Sequence, residues 1–373
     1  MAATRAARSA ALPDFPWDLL APAKKRAAAH PGGLIDLSIG TPVDPVPTVI
    51  REALAAASDA PGYPLAAGSP TLRAAIGEYA ARRCGAGDGV GVLPTIGSKE
   101  LVGWLPILLG LGPGDTVAIP SVCYPTYEVG ARMAGASVAR AGSPAELDAI
   151  DGPVGLIWIN SPGNPNGRVL PAAELAAVVA WARAHGAVVA SDECYLELTY
   201  DGGPTPVSAL DPAVRGDALD GVIAVHSLSK RSNLAGYRAG FVAGDPAVVA
   251  ELLAVRRHLG MLMPAPVQAA MVAALSDQAH AEEQRQRYAA RREVLRAALT
   301  GAGLRIEDSA AGLYLWATRD EDCWTTVDWL AGRGILASPG AFYGPAGVRH
   351  MRFALTASDE RIGAVAARLS SVS

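Results

Sequence analysis

From residue 92 to residue 243 the chain repeatedly sets a short apolar run against a longer amphipathic stretch. The runs at 116–120, 154–159, 187–191, 222–227 and 239–243 are too short for helices and too uniformly apolar for strands with one wet face. Such runs read as strands buried on both faces. Between most of them lie stretches with helical spacing, such as 174–185, which let one strand follow the next in parallel. This alternation restricts the fold to an α/β domain with a largely parallel central sheet. After about residue 246 a long helical stretch is predicted over 248–299, then short strands near 313–317 and 349–354. Helices are also predicted over 49–58 and 71–83.

A chain of 373 residues suits one large domain and one smaller one. The expected division is a large domain over 45–250 and a smaller α+β domain built from both ends, 1–44 and 251–373. Half of the residues are apolar and 18% are charged, a globular composition. The net charge of -4 gives no basic excess for nucleic acid. Mean hydropathy is +0.22, yet the longest apolar stretch, 101–111, contains Gly103 and Pro106 and is too short to span a bilayer. Cys84, Cys123, Cys194 and Cys323 are scattered, with no C-x-x-C pair and no His at ligand spacing, which points away from zinc and toward a reduced, cytoplasmic protein. Residues 1–12 hold two arginines and no acid, a faint transit-peptide signal that reads better as a disordered start or short arm. The glycines of 85–91 miss the register of a phosphate loop and read as a surface turn.

In open parallel sheets, ligands sit outside the carboxyl ends of the strands. Here those ends are polar. Asn160 to Gly167 follows one run, Asp192-Glu193-Cys194-Tyr195 another, and Ser227-Leu228-Ser229-Lys230 a third. A lysine at a sheet mouth can form an imine with an aldehyde. An aspartate opposite favours a protonated pyridine nitrogen, and protonated pyridine is an electron sink. Asn and Tyr can bind a ring oxygen, and Arg238 can pair with a phosphate through its planar fork. Gly97 and Ser98 open a helix whose free amides suit the same phosphate, with Ser98 as the expected N-cap. Taken singly, Lys230 also reads as a solvated lysine, Asp192 as a cap, Tyr124 and Tyr195 as packing aromatics, and Arg238 as half of an ion pair.

The segment Ser227-Leu228-Ser229-Lys230-Arg231-Ser232-Asn233-Leu234-Ala235-Gly236-Tyr237-Arg238-Ala239-Gly240 resembles the lysine motif of class I/II aminotransferases, pyridoxal-phosphate (PLP) enzymes of fold type I. Further likenesses occur in order at Gly40-Thr41-Pro42, from Tyr63 through Gly68 to Leu72-Arg73, at Asn164-Pro165-Asn166-Gly167, at Asp192 to Tyr195, at Pro339 to Gly344 and at Arg349 to Phe353. The resemblance implies that Lys230 is the Schiff-base lysine and moves the substrate's α-proton. It implies that Asp192 pairs with the pyridine nitrogen and that Tyr195 and Asn164 bind the ring oxygen. Tyr124 would stack on the ring. Gly97, Ser98, Ser227 and Arg238 would hold the phosphate, with help from Lys99, and Tyr63 would reach the phosphate of a partner subunit in a homodimer. Arg352 would clamp the substrate α-carboxylate, with Gly40 and Asn164 lining that pocket; Arg349, three positions earlier on the same extended segment, would face away.

The sequence also resembles N-succinyldiaminopimelate aminotransferases of the actinobacterial type, through Phe15-Pro16-Trp17-Asp18, Gly97 to Leu101, His226 to Lys230 and Leu262 to Gln268. That likeness implies transfer of an amino group from glutamate to N-succinyl-2-amino-6-oxopimelate. Lys99 would then read either the phosphate or a distal carboxylate. Two other readings stay open: another PLP aminotransferase or a β-lyase, and a PLP-fold amino-acid sensor without turnover.

Overall fold

The predicted alternation closes into a seven-stranded sheet. The computed structural model describes residues 12–370, so most of the arginine-containing start lies outside the described residues. Across the sheet the strands are Gly91–Ile96, Ala239–Gly244, Val222–Ser227, Val188–Asp192, Val154–Asn160, Thr116–Ile119 and Ser137–Arg140. Only Ala239–Gly244 runs against its neighbours; the other pairs are parallel. Ser137–Arg140 escapes the sequence reading because it is an edge strand, exposed at both ends, and carries no apolar run.

Alternate residues of the strands feed two cores, which is why the runs are apolar throughout. Ile157, Ile159, Val189, Ala224 and Phe241 pack against the helices Pro70–Cys84, Ala172–His185 and Ala265–Ser276. On the other face Leu156, Trp158, Ala190, Ile223 and Val242 meet Ser98–Leu108, Thr126–Ala134 and Pro246–His258. The expected helical stretch over 248–299 is three helices. Gly260 (in the left-handed region) and Pro264 break it first, and Asp277 breaks it again before Ala279–Gly301. The apolar stretch at 101–111 contributes to Ser98–Leu108, and among the described residues no helix is long and apolar enough to cross a membrane.

A third core gathers both chain ends. Leu20, Ala27, Ile35 and Leu37 join Tyr288, Leu295, Leu299 and residues up to Leu369. It packs on a small antiparallel sheet ordered Ser338–Pro339, His350–Ala354, Tyr314–Thr318, Arg305–Glu307, and on a parallel pair, Ile35–Asp36 with Ile335–Leu336. The architecture is α/β, a mostly parallel central sheet with a smaller sheet unit beside it.

Arg291 ties the N-terminal segment to the long helix. Its Nη1 and Nη2 donate to the Asp44 carboxylate at 2.7 and 2.6 Å, and its Nε donates to Asp359 at 2.6 Å. Burial raises the pKa of Asp44, but hydrogen bonds from Arg291 and Gln284 and the charge of Arg291 outweigh it, so the carboxyl is held below its ordinary value. Removing one partner of a buried ion pair leaves the other charge uncompensated, at a cost of about 3–5 kcal/mol. Arg291→Met is therefore expected to lower the urea midpoint markedly at neutral pH. A depressed carboxylate contributes stability above its unfolded pKa and loses it on acidification. The gap between wild type and variant should thus narrow as pH falls below about 4. A gap that does not change with pH contradicts the ion-pair account.

Candidate active site

The carboxyl ends of the central strands are held in register by one side chain. Asn160 is paired with Asp192 across the sheet. Its Nδ2 donates to the Asp192 carbonyl at 2.8 Å and to the Pro162 carbonyl at 3.2 Å, while its Oδ1 accepts from the Asn164 N–H at 2.7 Å. The loop after the strand is thereby folded back so that Asn164 faces the crevice. From the smaller sheet, Arg352 reaches the same point. Its Nη1 donates to Asn164 Oδ1 at 2.9 Å and its Nη2 to the Ser38 carbonyl at 2.7 Å, with the guanidinium 3.9 Å from the centre of the Tyr314 ring. Arg352 is 2% exposed, whereas Arg349 points outward to the Asp320 carbonyl, as strand alternation requires.

At the end of the next strand, the buried Asp192 accepts at Oδ2 from the Tyr127 hydroxyl, 2.7 Å away, and at Oδ1 from the Cys194 N–H at 3.2 Å. Burial raises the Asp192 pKa, and these bonds oppose it. Tyr127 is locked by stacking on Trp158, centroids 4.6 Å apart. Tyr195 shares a 3.2 Å hydroxyl contact with Tyr314. One strand further, Ser227 caps the short turn Leu228–Arg231 through the Ser229 N–H, and that turn presents Lys230. Burial pulls the Lys230 amine down to about 8, with Arg352 and Arg238 acting in the same direction. An amine so shifted spends more time as the neutral nucleophile.

Across the crevice the helix Ser98–Leu108 opens. Gly97, not Ser98, is its N-cap; with φ of 73° it takes the left-handed backbone that glycine adopts without strain, and Ser98 becomes the first helical residue. A β-carbon on Gly97 would lie 2.4 Å from Nη2 of Arg238, so the guanidinium sits directly against the helix mouth. Burial and Arg238 both lower the Lys99 pKa.

These groups surround one cavity of about 280 Å³. Of the residues singled out in the sequence, Gly40, Ser98, Lys99, Tyr124, Asn164, Asp192, Tyr195, Ser227, Lys230, Arg238 and Arg352 all line it. Gly97 adjoins it. Tyr63 does not: it stands 98% exposed, away from its own chain's cavity.

Residues 33–369 match the family model described as aminotransferase class I and II. The chain belongs to that family. It is 59% identical over 360 residues to the 4-dedimethylamino-4-oxo-anhydrotetracycline transaminase OxyQ of Streptomyces rimosus, covering 96% of this chain and 99% of that one. It is 57% identical to a probable aminotransferase of Mycobacterium tuberculosis, over 99% of this chain and 88% of the relative. Among solved structures it is similar to a probable N-succinyldiaminopimelate aminotransferase of Thermus thermophilus, at 30% identity and a TM-score of 0.83, covering 95% and 98% of the two chains.

The cofactor of the family is pyridoxal 5'-phosphate, and the cavity of this aminotransferase fits it. Lys99, Lys230, Arg238 and Arg352 all face the cavity, none has an ion-pair partner among the described residues, and Asp192 is the one carboxylate in the lining. Such an excess of positive charge calls for an anionic guest. The chain has four lysines, Lys24, Lys25, Lys99 and Lys230, and only the last two reach the cavity.

Several lining or supporting residues were not foreseen. Tyr127 reads as a core aromatic, and its spacing from Tyr124 carries no signal of a bond to Asp192. Tyr314 arrives from the smaller sheet. Phe15 and Trp17 enter the sequence reading only as part of a likeness, yet both line the cavity, as does Cys194. A hydrogen bond to a charged group contributes about 1.5–3 kcal/mol. Tyr127→Phe is therefore expected to weaken PLP retention by about tenfold or more, read by cofactor content after dialysis. Retention equal to wild type would show that the Tyr127–Asp192 bond does not serve the cofactor.

Proposed function

We propose that this aminotransferase moves an amino group from glutamate to a keto acid, and that the acceptor is N-succinyl-2-amino-6-oxopimelate. The observation that carries the reaction is the convergence of Lys230, Asp192, Asn164 and Arg352 on one cavity. Bound PLP supplies an electron sink for the bond broken at the substrate's α-carbon. Lys230 anchors the cofactor covalently and then takes and returns the proton at that carbon. Its lowered pKa suits both tasks. Asp192 keeps the proton on the pyridine nitrogen, held for this by Tyr127. Tyr195 and Asn164 bind the ring oxygen, and Tyr124 packs on the ring face. Ser98, Ser227, Arg238 and the amides at Gly97 hold the phosphate. Arg352 grips the substrate α-carboxylate from its seat on Tyr314, and its bond to Asn164 couples substrate site to cofactor site.

Lys99 favours an acceptor with a second anionic end. Its Nζ stands 5.6 Å from the Phe15 ring centre, and both side chains line the cavity. The likeness to the Thermus thermophilus enzyme points the same way. The second reading is a bulky ketone such as the one named for OxyQ, which the aromatic pair Phe15 and Trp17, 5.5 Å apart, would accommodate.

The same reading makes the working unit a homodimer. The exposure of Tyr63, beside an exposed Leu65, supports a role for that hydroxyl in a partner's site. It also divides the chain at residues 45 and 250. The third core supports this at the N-terminal side, while the packing of Ala265–Ser276 on the large sheet argues for a later second boundary.

A panel of keto acids with glutamate as donor tests the acceptor. The succinylated keto acid should show the highest kcat/KM, and Lys99→Ala should raise its KM by about tenfold, a loss typical of one charge-assisted contact. A flat polycyclic ketone preferred over every dianionic acid, or a KM untouched by Lys99→Ala, sinks this choice of substrate.

A further inference from the structure

Behind the cavity, on the far side of Asp192 and Ser227, three side chains from distant parts of the chain meet. Cys84 ends the helix Pro70–Cys84, Glu193 follows Asp192, and His226 precedes Ser227. All three are buried, and their ligand atoms lie within 4.8 Å of one another. We propose that Cys84, Glu193 and His226 form a buried zinc site that fastens the strand ends carrying Asp192 and Lys230.

The spacing of the groups carries the argument. Cys84 Sγ lies 3.6 Å from His226 Nε2, and Glu193 Oε2 lies 3.6 Å from the same nitrogen. A hydrogen bond between imidazole and carboxylate closes to about 2.7–3.2 Å. Zinc bonds of about 2.0–2.3 Å in tetrahedral array hold their ligand atoms roughly 3.3–3.7 Å apart. The Glu193–His226 separation exceeds the first range and fits the second, while the Cys84–His226 separation fits both the second and a thiol–imidazole hydrogen bond. Independently, Glu193 Oε2 is buried with no hydrogen-bond partner among the described residues, although Oε1 accepts from the Ala209 N–H at 2.7 Å. A buried acceptor left unmade is costly, and a cation at the centre of the three groups removes that cost.

The donor set selects the metal. Thiolate, imidazole and carboxylate together suit zinc and exclude the hard cations calcium and magnesium. One thiolate and one carboxylate neutralise a dication, so the filled site adds no net charge to the core. The thiol proton leaves to solvent on binding. A void of about 10 Å³ beside Glu193 and His226 is close to the space one water needs, and a water there would complete the coordination. No C-x-x-C spacing announces the site, because strand pairing and a helix end assemble it.

The test is metal analysis of the PLP-loaded holoenzyme. Protein from zinc-supplemented cultures, dialysed against a weak chelator, should retain about one zinc per chain, and Cys84→Ala less than a tenth of that. Cobalt-supplemented protein should show the thiolate-to-cobalt near-ultraviolet band, and Glu193→Gln, an isosteric change that leaves the thiol in place, should weaken metal retention. Wild-type holoenzyme without metal above the buffer blank in either medium overturns the proposal. So does metal that persists undiminished in Cys84→Ala. Cofactor content and thermal melting of each variant report folding, so loss of the fold is distinguished from loss of the ligand.

Discussion

A carboxylate buried at the end of a central strand sets the terms for everything around it. Asp192 is removed from water, and burial alone would drive it toward its neutral form. Two hydrogen bonds, from Tyr127 and from the Cys194 N–H, oppose that drift. Each bond rests on something further. Tyr127 is pinned by Trp158, whose strand also ends in Asn160, and Asn160 grips the Asp192 carbonyl. The position of one acid is thus determined by two adjacent strands and a helix, not by a mobile loop. On the proposed assignment, that rigidity would offer a pyridine nitrogen a carboxylate already oriented.

The second constraint comes from the other side of the crevice. Arg352 is fixed in the small antiparallel sheet between Tyr314 and Tyr343, and its guanidinium crosses to Asn164 on the large sheet. One hydrogen bond therefore spans both structural units. On the proposed assignment, a substrate α-carboxylate would meet a cation already bonded to the loop holding Asn164. Lys230 lines the same cavity, with its pKa lowered chiefly by burial.

Much of this was legible in the sequence for a physical reason. Strands buried on both faces cannot hide their apolar runs, and polar groups at their ends stand out against them. Ser137–Arg140 had no such contrast, because an edge strand faces solvent on one side. The breaks at Gly260–Pro264 and Asp277 were masked by the helical composition around them. Ser98 looked like a cap, but the glycine before it takes that position with a left-handed backbone, and Ser98 begins the helix. Tyr127, Tyr314 and the cluster of Cys84, Glu193 and His226 gave no signal, since each depends on contacts between residues far apart in the chain. Tyr63 carries the opposite difficulty: its motif is plain, but the side chain stands exposed on its own chain.

The account stands on the identity of one amine. Holoenzyme reduced with borohydride, digested and analysed by mass spectrometry should carry the cofactor's mass on the peptide containing Lys230 and on no other. Cofactor mass on the peptide containing Lys99, or on no lysine at all in PLP-loaded protein, would contradict it.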